Sequence, residues 1–344
     1  MPTASIDLLL ASVAMIIMVI GAIYGVNLAV EPYMAGQSVQ LERYHQIGRC
    51  MLLSPGEPDG WGAGGAPTAL GFAAPGGAYE LDIDKVTRLN PSNAYALSYF
   101  QLWSALGIGD VAFRIRVDMP FNLTLSLASS RLRGDNTTYT FNASASRRGY
   151  PLPTAARYYV VVRDFTDSKR GETGSDGSGT VEFSLPNNLS GTALLVGFAR
   201  VGESVVSCSV LPFAHSSPPP EAPGSFATLS PLNYTLHIAL TGGGSVTNAA
   251  VLSLGYVFNL TGDGATYTVP HLLDASPMVL VLTGVNGSDH WAEWVTYPQV
   301  PLVVGADMSD AYAISDVASV PYLVEVKGVL YRFEVRFRSP REDD

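Results

Sequence analysis

The sequence predicts a mainly β protein with an N-terminal transmembrane helix, a small α+β head and two tandem β-sandwich domains. Residues Leu8 to Val26 form an uncharged apolar run of 19 residues. At about 1.5 Å per residue, a helix of this length nearly crosses a hydrocarbon core of ~30 Å. From about residue 138, short stretches of alternating apolar and polar residues recur between turns rich in Gly, Pro and Asp. That pattern is typical of antiparallel sandwiches, and 344 residues suffice for two or three domains.

The apolar run is interpreted as a retained membrane helix. A secretory signal would carry a basic start and a shorter apolar core, but no Lys or Arg occurs before Arg43. A buried core helix is the alternative, although such helices keep a polar face. The helix is predicted to extend from Ser5 to Leu53, with a kink at Pro32 and an end at Ser54-Pro55-Gly56. Its second half carries an apolar stripe formed by Leu41, Tyr44, Gly48 and Met51 or Leu52.

Two segments give the N-terminal part a family resemblance. Residues 49–62 read RCMLLSPGEPDGWG, and residues 84–90 read DKVTRLN, followed by ALSY at 96–99. With the long N-terminal helix, these segments resemble archaeal type IV pilin-like surface proteins over about residues 1–130. The resemblance implies a transmembrane helix at 1–30, a pilin-like helix extension and α+β head at 31–130, and assembly with other copies through Asp7. The chain departs from the pilin pattern because no basic leader precedes its apolar run.

Within the head, local patterns predict a short strand at Tyr79–Leu89 and a helix at Ser98–Leu106, capped by Ser98 and stopped by Gly107. Val111–Val117 and Phe121–Leu127 alternate apolar and polar residues around a Met-Pro turn. They are predicted to pair as antiparallel strands.

The rest of the chain is predicted to be β throughout. Residues 131–214 resemble bacterial and archaeal immunoglobulin-like modules, on the strength of the segment GYPLPTA at 149–155 and the Gly-Asp turn at 172–179. A Pro-rich linker at 215–224 then precedes a second β-sandwich at 225–344, which ends in a hairpin, Pro321–Phe337, turning at Lys327-Gly328.

Acceptor sites for N-glycosylation predict the orientation of the chain. Seven N-x-S/T sequons occur, all after the apolar run, whereas chance would give about two under this motif rule. They predict an N-terminus inside the cell and glycosylated C-terminal domains outside, with chance clustering in Ser/Thr-rich sequence as the alternative. The candidate asparagines are Asn122, Asn136, Asn142, Asn188, Asn233, Asn259 and Asn286.

Charge and motifs exclude several kinds of function. A net charge of −10 leaves no basic stripe for nucleic acid. The five His are scattered, and no metal-ligand spacing, nucleophile elbow, phosphate loop or dinucleotide fingerprint occurs. We therefore expect no metal, no cofactor and no enzymatic activity. The two cysteines, Cys50 and Cys208, are interpreted as unpaired thiols, with one long-range disulfide as the alternative.

Two functional hypotheses remain. The first is a membrane-anchored, glycosylated cell-surface protein of pilin-like type with a structural or adhesive role, assembling with copies of itself. The second is a monomeric, single-pass anchored binding protein whose sandwiches recognise glycan or a surface-layer protein. The segment 289–294 contains candidate sugar-binding residues, Trp291 and Glu293, which strand alternation places on one face. The alternative is a Trp buried in the sandwich core.

Overall fold

The computed structural model describes residues 15–16, 18–22, 40–75, 77–109, 111–271, 276–308 and 317–338. The chain divides into two units, Met1–Arg49 and Cys50–Asp344. In the first unit, the described residues 15–16, 18–22 and 40–49 are helical. The second unit contains the sheets and is the subject of the following sections.

The N-terminal part of the predicted fold class needs correction. Within the described ranges, no helix combines the length and the apolar character that crossing a membrane requires. The predicted transmembrane helix leading into a pilin-like head is therefore wrong for this structure, and so is the single-pass membrane location that depended on it. Of the run Leu8–Val26, only residues 15–16 and 18–22 are described. Asp7 lies outside the described residues.

The described part of the second unit is mainly antiparallel β-structure with short helices. Residues 50–53 are helical, a 3₁₀ turn spans Trp61–Ala63, and two α-helices follow at Ile83–Thr87 (α1) and Tyr99–Leu106 (α2). The strands, in chain order, are Ala112–Asp118 (β1), Asn122–Arg133 (β2), Asn136–Arg147 (β3), Tyr150–Pro151 (β4), Thr154–Val162 (β5), Phe165–Thr173 (β6), Ser178–Pro186 (β7), Gly191–Val201 (β8), Val205–His215 (β9), Ala227–Leu232 (β10), Thr235–Leu240 (β11), Ser245–Leu252 (β12), Val257–Asn259 (β13), Thr261–Gly262 (β14), Thr266–Thr268 (β15), Met278–Asn286 (β16), Asp289–Tyr297 (β17), Leu302–Gly305 (β18), Val317–Val326 (β19) and Val329–Arg338 (β20).

Five sheets result, and we name them for use below. The head sheet has the order β18-β1-β20-β19. Sheet I contains β2-β3-β4 with β7 beside β3, and sheet II has the order β6-β5-β8-β9. Sheet III has the order β13-β12-β16-β17, and sheet IV has the order β10-β11-β15-β14.

The head sheet pairs β1, the first strand of the second unit, with the hairpin near its C-terminal end. The predicted C-terminal hairpin is present as β19 and β20, and its turn residues Lys327 and Gly328 have φ values of 50° and 81°. It does not complete the second sandwich, however, because β20 pairs with β1 from Ala112↔Arg338 to Asp118↔Arg332. The predicted pairing of Val111–Val117 with Phe121–Leu127 is also wrong, since β2 pairs with β3. Alternation of apolar and polar residues predicts that a strand has one buried face, but it does not determine which other strand it pairs with.

Loops and short helices of residues 50–111 pack onto the head sheet. The Phe72 ring lies 5.6 Å from the Phe333 ring, and the Tyr99 ring lies 5.3 Å from the Phe113 ring, measured between centroids. The helix α2 begins with the predicted Ser98 capping box and ends at Gly107, whose φ is 69°. The strand predicted at Tyr79–Leu89 is wrong. There, Asp82 accepts hydrogen bonds from the backbone N–H groups of Asp84 and Lys85, which caps the short helix α1 instead.

Sheets I, II and III are stacked in layers with a core on each face of sheet II, and β10 of sheet IV contacts β17 of sheet III. We call sheets I and II the first sandwich and sheets III and IV the second. Sheets I and II enclose the first core, which includes Phe141, Phe183 and Phe213. The opposite face of sheet II packs on sheet III through a second core, so residues 160–162 of β5 are buried in succession. This shared core consists of Tyr159, Val161, Leu194, Val196, Phe198, Leu252, Val279, Val281 and Ala292. The β-sandwich character predicted for the C-terminal part is therefore found, and the Pro-rich segment 215–224 connects two sandwiches that are in contact.

Candidate functional site

The sugar-binding candidates of the sequence, Trp291 and Glu293, lie inside the protein. Trp291 is 2% exposed and stacks on Phe226, with 5.7 Å between ring centroids. The Glu293 carboxylate accepts hydrogen bonds from the backbone N–H groups of Gly224 (2.8 Å) and Phe226 (3.2 Å). Burial raises the pKa of Glu293, while these hydrogen bonds oppose that rise. Both side chains attach the end of the linker to sheet III, so neither can meet a ligand at the surface.

The structure also places the cysteines and the candidate glycosylation sites. Both cysteines are free thiols. Six of the seven candidate glycosylation sites are exposed, and the seventh, Asn286, is half-buried. Asn233 differs from the others because its backbone has a positive φ of 48° and its N–H donates to Asp84. Glycosylation itself stays a prediction. In the described part of the chain, no group of three His, Cys, Asp or Glu side chains is arranged to hold a metal ion.

The segment that resembled pilin-like proteins at 84–90 is a structural cluster of partnered charges. Lys85, 1% exposed, donates to the carbonyls of Pro55 (2.8 Å) and Ala73 (3.0 Å). Arg88 donates to three carbonyls, those of Tyr95, Trp61 and Gly65. We call Asp84, Lys85 and Arg88 the buried charge cluster.

Asp84 connects this cluster to the second sandwich. Its Oδ1 accepts hydrogen bonds from the Tyr297 hydroxyl (2.7 Å) and from the Asn233 N–H (2.8 Å). Burial raises the pKa of Asp84, although both hydrogen bonds favour its charged form. Because each buried charge meets a backbone or hydroxyl partner, the cluster stabilises the junction of the head with sheets III and IV and leaves no group free for a ligand.

The strongest candidate site is a pocket of about 600 Å³ that three arginines line. Arg157 on β5, Arg170 on β6 and Arg200 on β8 approach it from three adjacent strands of sheet II, and the segment 254–256 of the second sandwich forms its other wall. We call it the arginine pocket. No acidic side chain lines it.

The strand register explains why the three arginines share a face. Arg157 pairs directly with Arg170 on one side and with Phe198 on the other, and Arg200 is two residues beyond Phe198. Side chains two residues apart along a strand lie on the same face, and directly paired residues do too. The nearest acid by register is Glu172, which is exposed and opposite Ala155. Like charges in directly opposed positions destabilise a sheet, so Arg157–Arg170 is an unfavourable pair for folding alone.

Arg157 is held in place by neutral groups. Its Nη2 donates to the Ser168 hydroxyl at 3.2 Å, and its guanidinium lies 5.4 Å from the centroid of the Tyr159 ring. The Nε atom is buried and has no hydrogen-bond partner among the described residues. A buried donor without an acceptor is costly, so this placement of Arg157 is unfavourable for folding alone.

The wall opposite the arginines is attached to sheet II by one hydrogen bond. The Tyr159 hydroxyl donates to the Ser253 carbonyl at 2.8 Å. Ser253 in turn accepts at its hydroxyl from the Tyr256 N–H and donates its own N–H to the Tyr256 carbonyl. Tyr256 lines the pocket and is 43% exposed. The pocket thus combines three fixed positive charges with an accessible aromatic ring.

A second cleft is also lined by arginines, but two of them form ion pairs. Arg116, Arg147, Arg148 and Arg332 line a cleft of about 460 Å³ between the head sheet and sheet I. There, Arg116 contacts Asp118 at 2.5 Å, and Arg332 contacts Glu334 at 2.5 Å. In the arginine pocket, by contrast, none of the three arginines forms an ion pair with any residue that the structure describes.

Sequence reasoning did not find the arginine pocket. Its three arginines span 43 positions of the sequence and lie on three strands, and Tyr256 comes from another sandwich. The aromatic and β-branched residues of 154–162 are typical of a strand, but only the register of β5 with β6 brings Arg157 opposite Arg170. Predicting the pocket would have required the pairing of strands, which no sequence motif gives.

Comparison with known proteins identifies no family. No protein-family model matches the chain, and no curated protein does. Among solved structures, a marsupial T cell receptor matches at 11% identity with a TM-score of 0.20, covering 51% of this chain and 94% of its own. HBP35 of Porphyromonas gingivalis matches at 12% identity with a TM-score of 0.21, covering 57% of this chain and 67% of its own. At these TM-scores, the similarities support no conclusion about function.

Proposed function

We propose that this chain is a binding protein of adhesive type, without catalytic function, that takes an anionic ligand in the arginine pocket. The observation that carries the proposal is the convergence of Arg157, Arg170 and Arg200 on one pocket without an acidic partner in the described residues. The whole chain has a net charge of −10. Its overall charge therefore disfavours anions, and an anion that binds does so because of a local site.

The scaffold supports a binding role. The strands β5 and β8, which carry Arg157 and Arg200, are packed on both faces by sheets I and III and are therefore rigid, whereas β6 with Arg170 is an edge strand. Ligand sites on such strands hold their geometry better than sites on loops. We also propose that the sandwich of sheets I and II is an immunoglobulin-like module, in line with its two antiparallel sheets.

The test uses the full chain and a small polyanion. Citrate, which carries three carboxylates, is titrated into the protein at low and high salt in a calorimeter. We expect binding that weakens with salt and that decreases at least roughly tenfold in the double variant Arg157→Gln/Arg170→Gln, since hydrogen bonds to charged groups contribute about 1.5–3 kcal/mol each. Absence of binding by citrate and by sulfate would contradict the proposal.

Lys169→Gln is the matched control. Lys169 neighbours Arg170 on β6, but its side chain lies on the opposite face of sheet II, where its Nζ is 5.4 Å from the centroid of the Phe183 ring. The variant removes the same unit of charge from the same strand. Equal loss of citrate binding in Lys169→Gln and Arg170→Gln would mean that general charge, and not the pocket, attracts the anion.

A further inference from the structure

We infer that the ligand of the arginine pocket is a stretch of acidic polysaccharide, a chain in which successive sugar units carry carboxylates. This inference rests on the proposed function and narrows it from any anion to one class of molecule. It follows from the spacing of the arginines, from the size of the pocket and from the position of Tyr256.

The spacing of the arginine backbones favours a ligand with several negative charges. Arg170 and Arg200 are on the two strands that flank β5. Arg170 is opposite Arg157, whereas Arg200 is opposite Ala155, two residues away along β5. With neighbouring strands about 4.8 Å apart and about 6.8 Å per two residues, their backbones are separated by roughly 12 Å. At this backbone separation, a ligand with several charged groups suits the three arginines better than a single carboxylate or sulfate.

The pocket accommodates sugar units. A volume of about 600 Å³ is within the range of small-molecule sites and leaves room for a few saccharide rings. The exposed face of Tyr256 adds a surface on which an apolar sugar face can pack, and its ring is itself stacked on Phe258, with 6.1 Å between centroids. The planar fork of an arginine binds a carboxylate through two parallel hydrogen bonds, so carboxylate groups on the saccharide suit these three side chains.

Arg157 gives the central unit of the ligand a defined partner. The Ser168 hydroxyl occupies its Nη2, and the Nε donor remains without an acceptor among the described residues. A carboxylate in the pocket can accept only from the accessible donors of Arg157, since Nε itself is closed to solvent. Phosphate chains such as single-stranded nucleic acid share the repeating charge, and the experiment below separates them from acidic saccharides.

The experiment is a length series of galacturonate oligomers from one to four units, titrated into the full chain at constant carboxylate concentration. We expect affinity to rise by roughly tenfold with each unit up to three, as each carboxylate engages one more arginine, and then to level off. Arg200→Gln should shorten this rise by one unit, and Tyr256→Ala should weaken the trimer several-fold but not citrate. Lys169→Gln should follow the parent chain throughout.

The outcomes separate this inference from the proposed function. If citrate binds but the trimer binds no tighter than the monomer, the polysaccharide inference is wrong and the anion site stands. If a neutral galactose trimer binds equally well, the charges are irrelevant and both proposals are wrong. If oligo-dT binds more tightly than the galacturonate trimer in the same buffer, the ligand class is nucleic acid and the inference is overturned.

Discussion

The buried charge cluster and the arginine pocket contain the same kind of side chain in opposite circumstances. In the cluster, Arg88 is 5% exposed, and its guanidinium donates to three backbone carbonyls. In the pocket, Arg170 and Arg200 face open space, and the buried Nε of Arg157 lacks an acceptor in the described residues. Judged by burial alone, the buried charge cluster would be the stronger candidate for a functional site.

The difference shows that a structural charge is distinguished from a functional one by its hydrogen-bond and ion-pair partners more than by its burial. A buried charge whose donors are all used contributes to the fold and has nothing left for a ligand. A group of like charges placed together without counter-charges costs stability, and sequences retain such arrangements at functional sites. Four predictions test this contrast, in order of the expected effect on the free energy of unfolding.

The largest effect is expected for Arg88→Met. The variant keeps an apolar stem but removes the donors to the carbonyls of Trp61, Gly65 and Tyr95. We expect a loss of roughly 3–5 kcal/mol in the free energy of unfolding, measured by urea denaturation, because three hydrogen bonds from one charged side chain are lost at once. Arg133→Met is the control, since Arg133 is exposed at the end of β2. Similar losses in the two variants would contradict a structural role for Arg88.

The second prediction concerns pH and Asp84. Burial raises its folded-state pKa above the ordinary value, so the folded chain keeps a proton that the unfolded chain releases. Stability from this group is therefore full below pH ~3.9 and is lost as pH rises through the folded-state pKa. Asp84→Asn has no such proton, and we expect the stability of the parent relative to the variant to fall over this window.

Asp84→Ala separates the charge from the hydrogen bonds. It removes the acceptor for Tyr297 and Asn233 at every pH, and should cost roughly 1–3 kcal/mol throughout. Urea titrations at several pH values measure both variants. A difference between the parent and Asp84→Asn that stays flat or grows with pH would refute the assigned direction of the pKa shift.

The third prediction compares two adjacent tyrosines on β5. The Tyr159 hydroxyl donates to the Ser253 carbonyl, whereas the buried Tyr158 hydroxyl has no partner among the described residues. Tyr159→Phe should cost roughly 1 kcal/mol and weaken citrate binding, since it releases the wall of the arginine pocket. Tyr158→Phe should not destabilise the fold at all. Thermal unfolding of both variants decides the matter, and equal effects would mean that the Tyr159 bond does not hold the wall.

The smallest effect is expected for Arg170→Gln. Because the variant removes one member of a directly opposed like-charge pair, we expect the free energy of unfolding to stay unchanged or to rise by roughly 0.2–1 kcal/mol at low salt. The gain should diminish as salt screens the repulsion. A loss above this range would show that Arg170 has a structural partner, and would remove the main argument for the arginine pocket.

Local sequence signals were sufficient for several elements. The Ser98 cap and the Gly107 stop predicted α2, and Lys327-Gly328 predicted the turn of the last hairpin. These signals act through backbone groups within a few residues, so neighbours in sequence determine them. The same local reasoning proposed a strand at Tyr79–Leu89, because it weighed alternation and overlooked Asp82 as a helix cap.

The sequence by itself determined that most of the described chain is β-structure and where several of its turns lie. Only the tertiary structure decided which strands pair. It placed the C-terminal hairpin beside β1, buried Trp291 and Glu293 between sheets, and brought three arginines together on sheet II. The physical reason is that alternation specifies which face of a strand is buried, whereas partner and register depend on contacts between residues far apart in the chain.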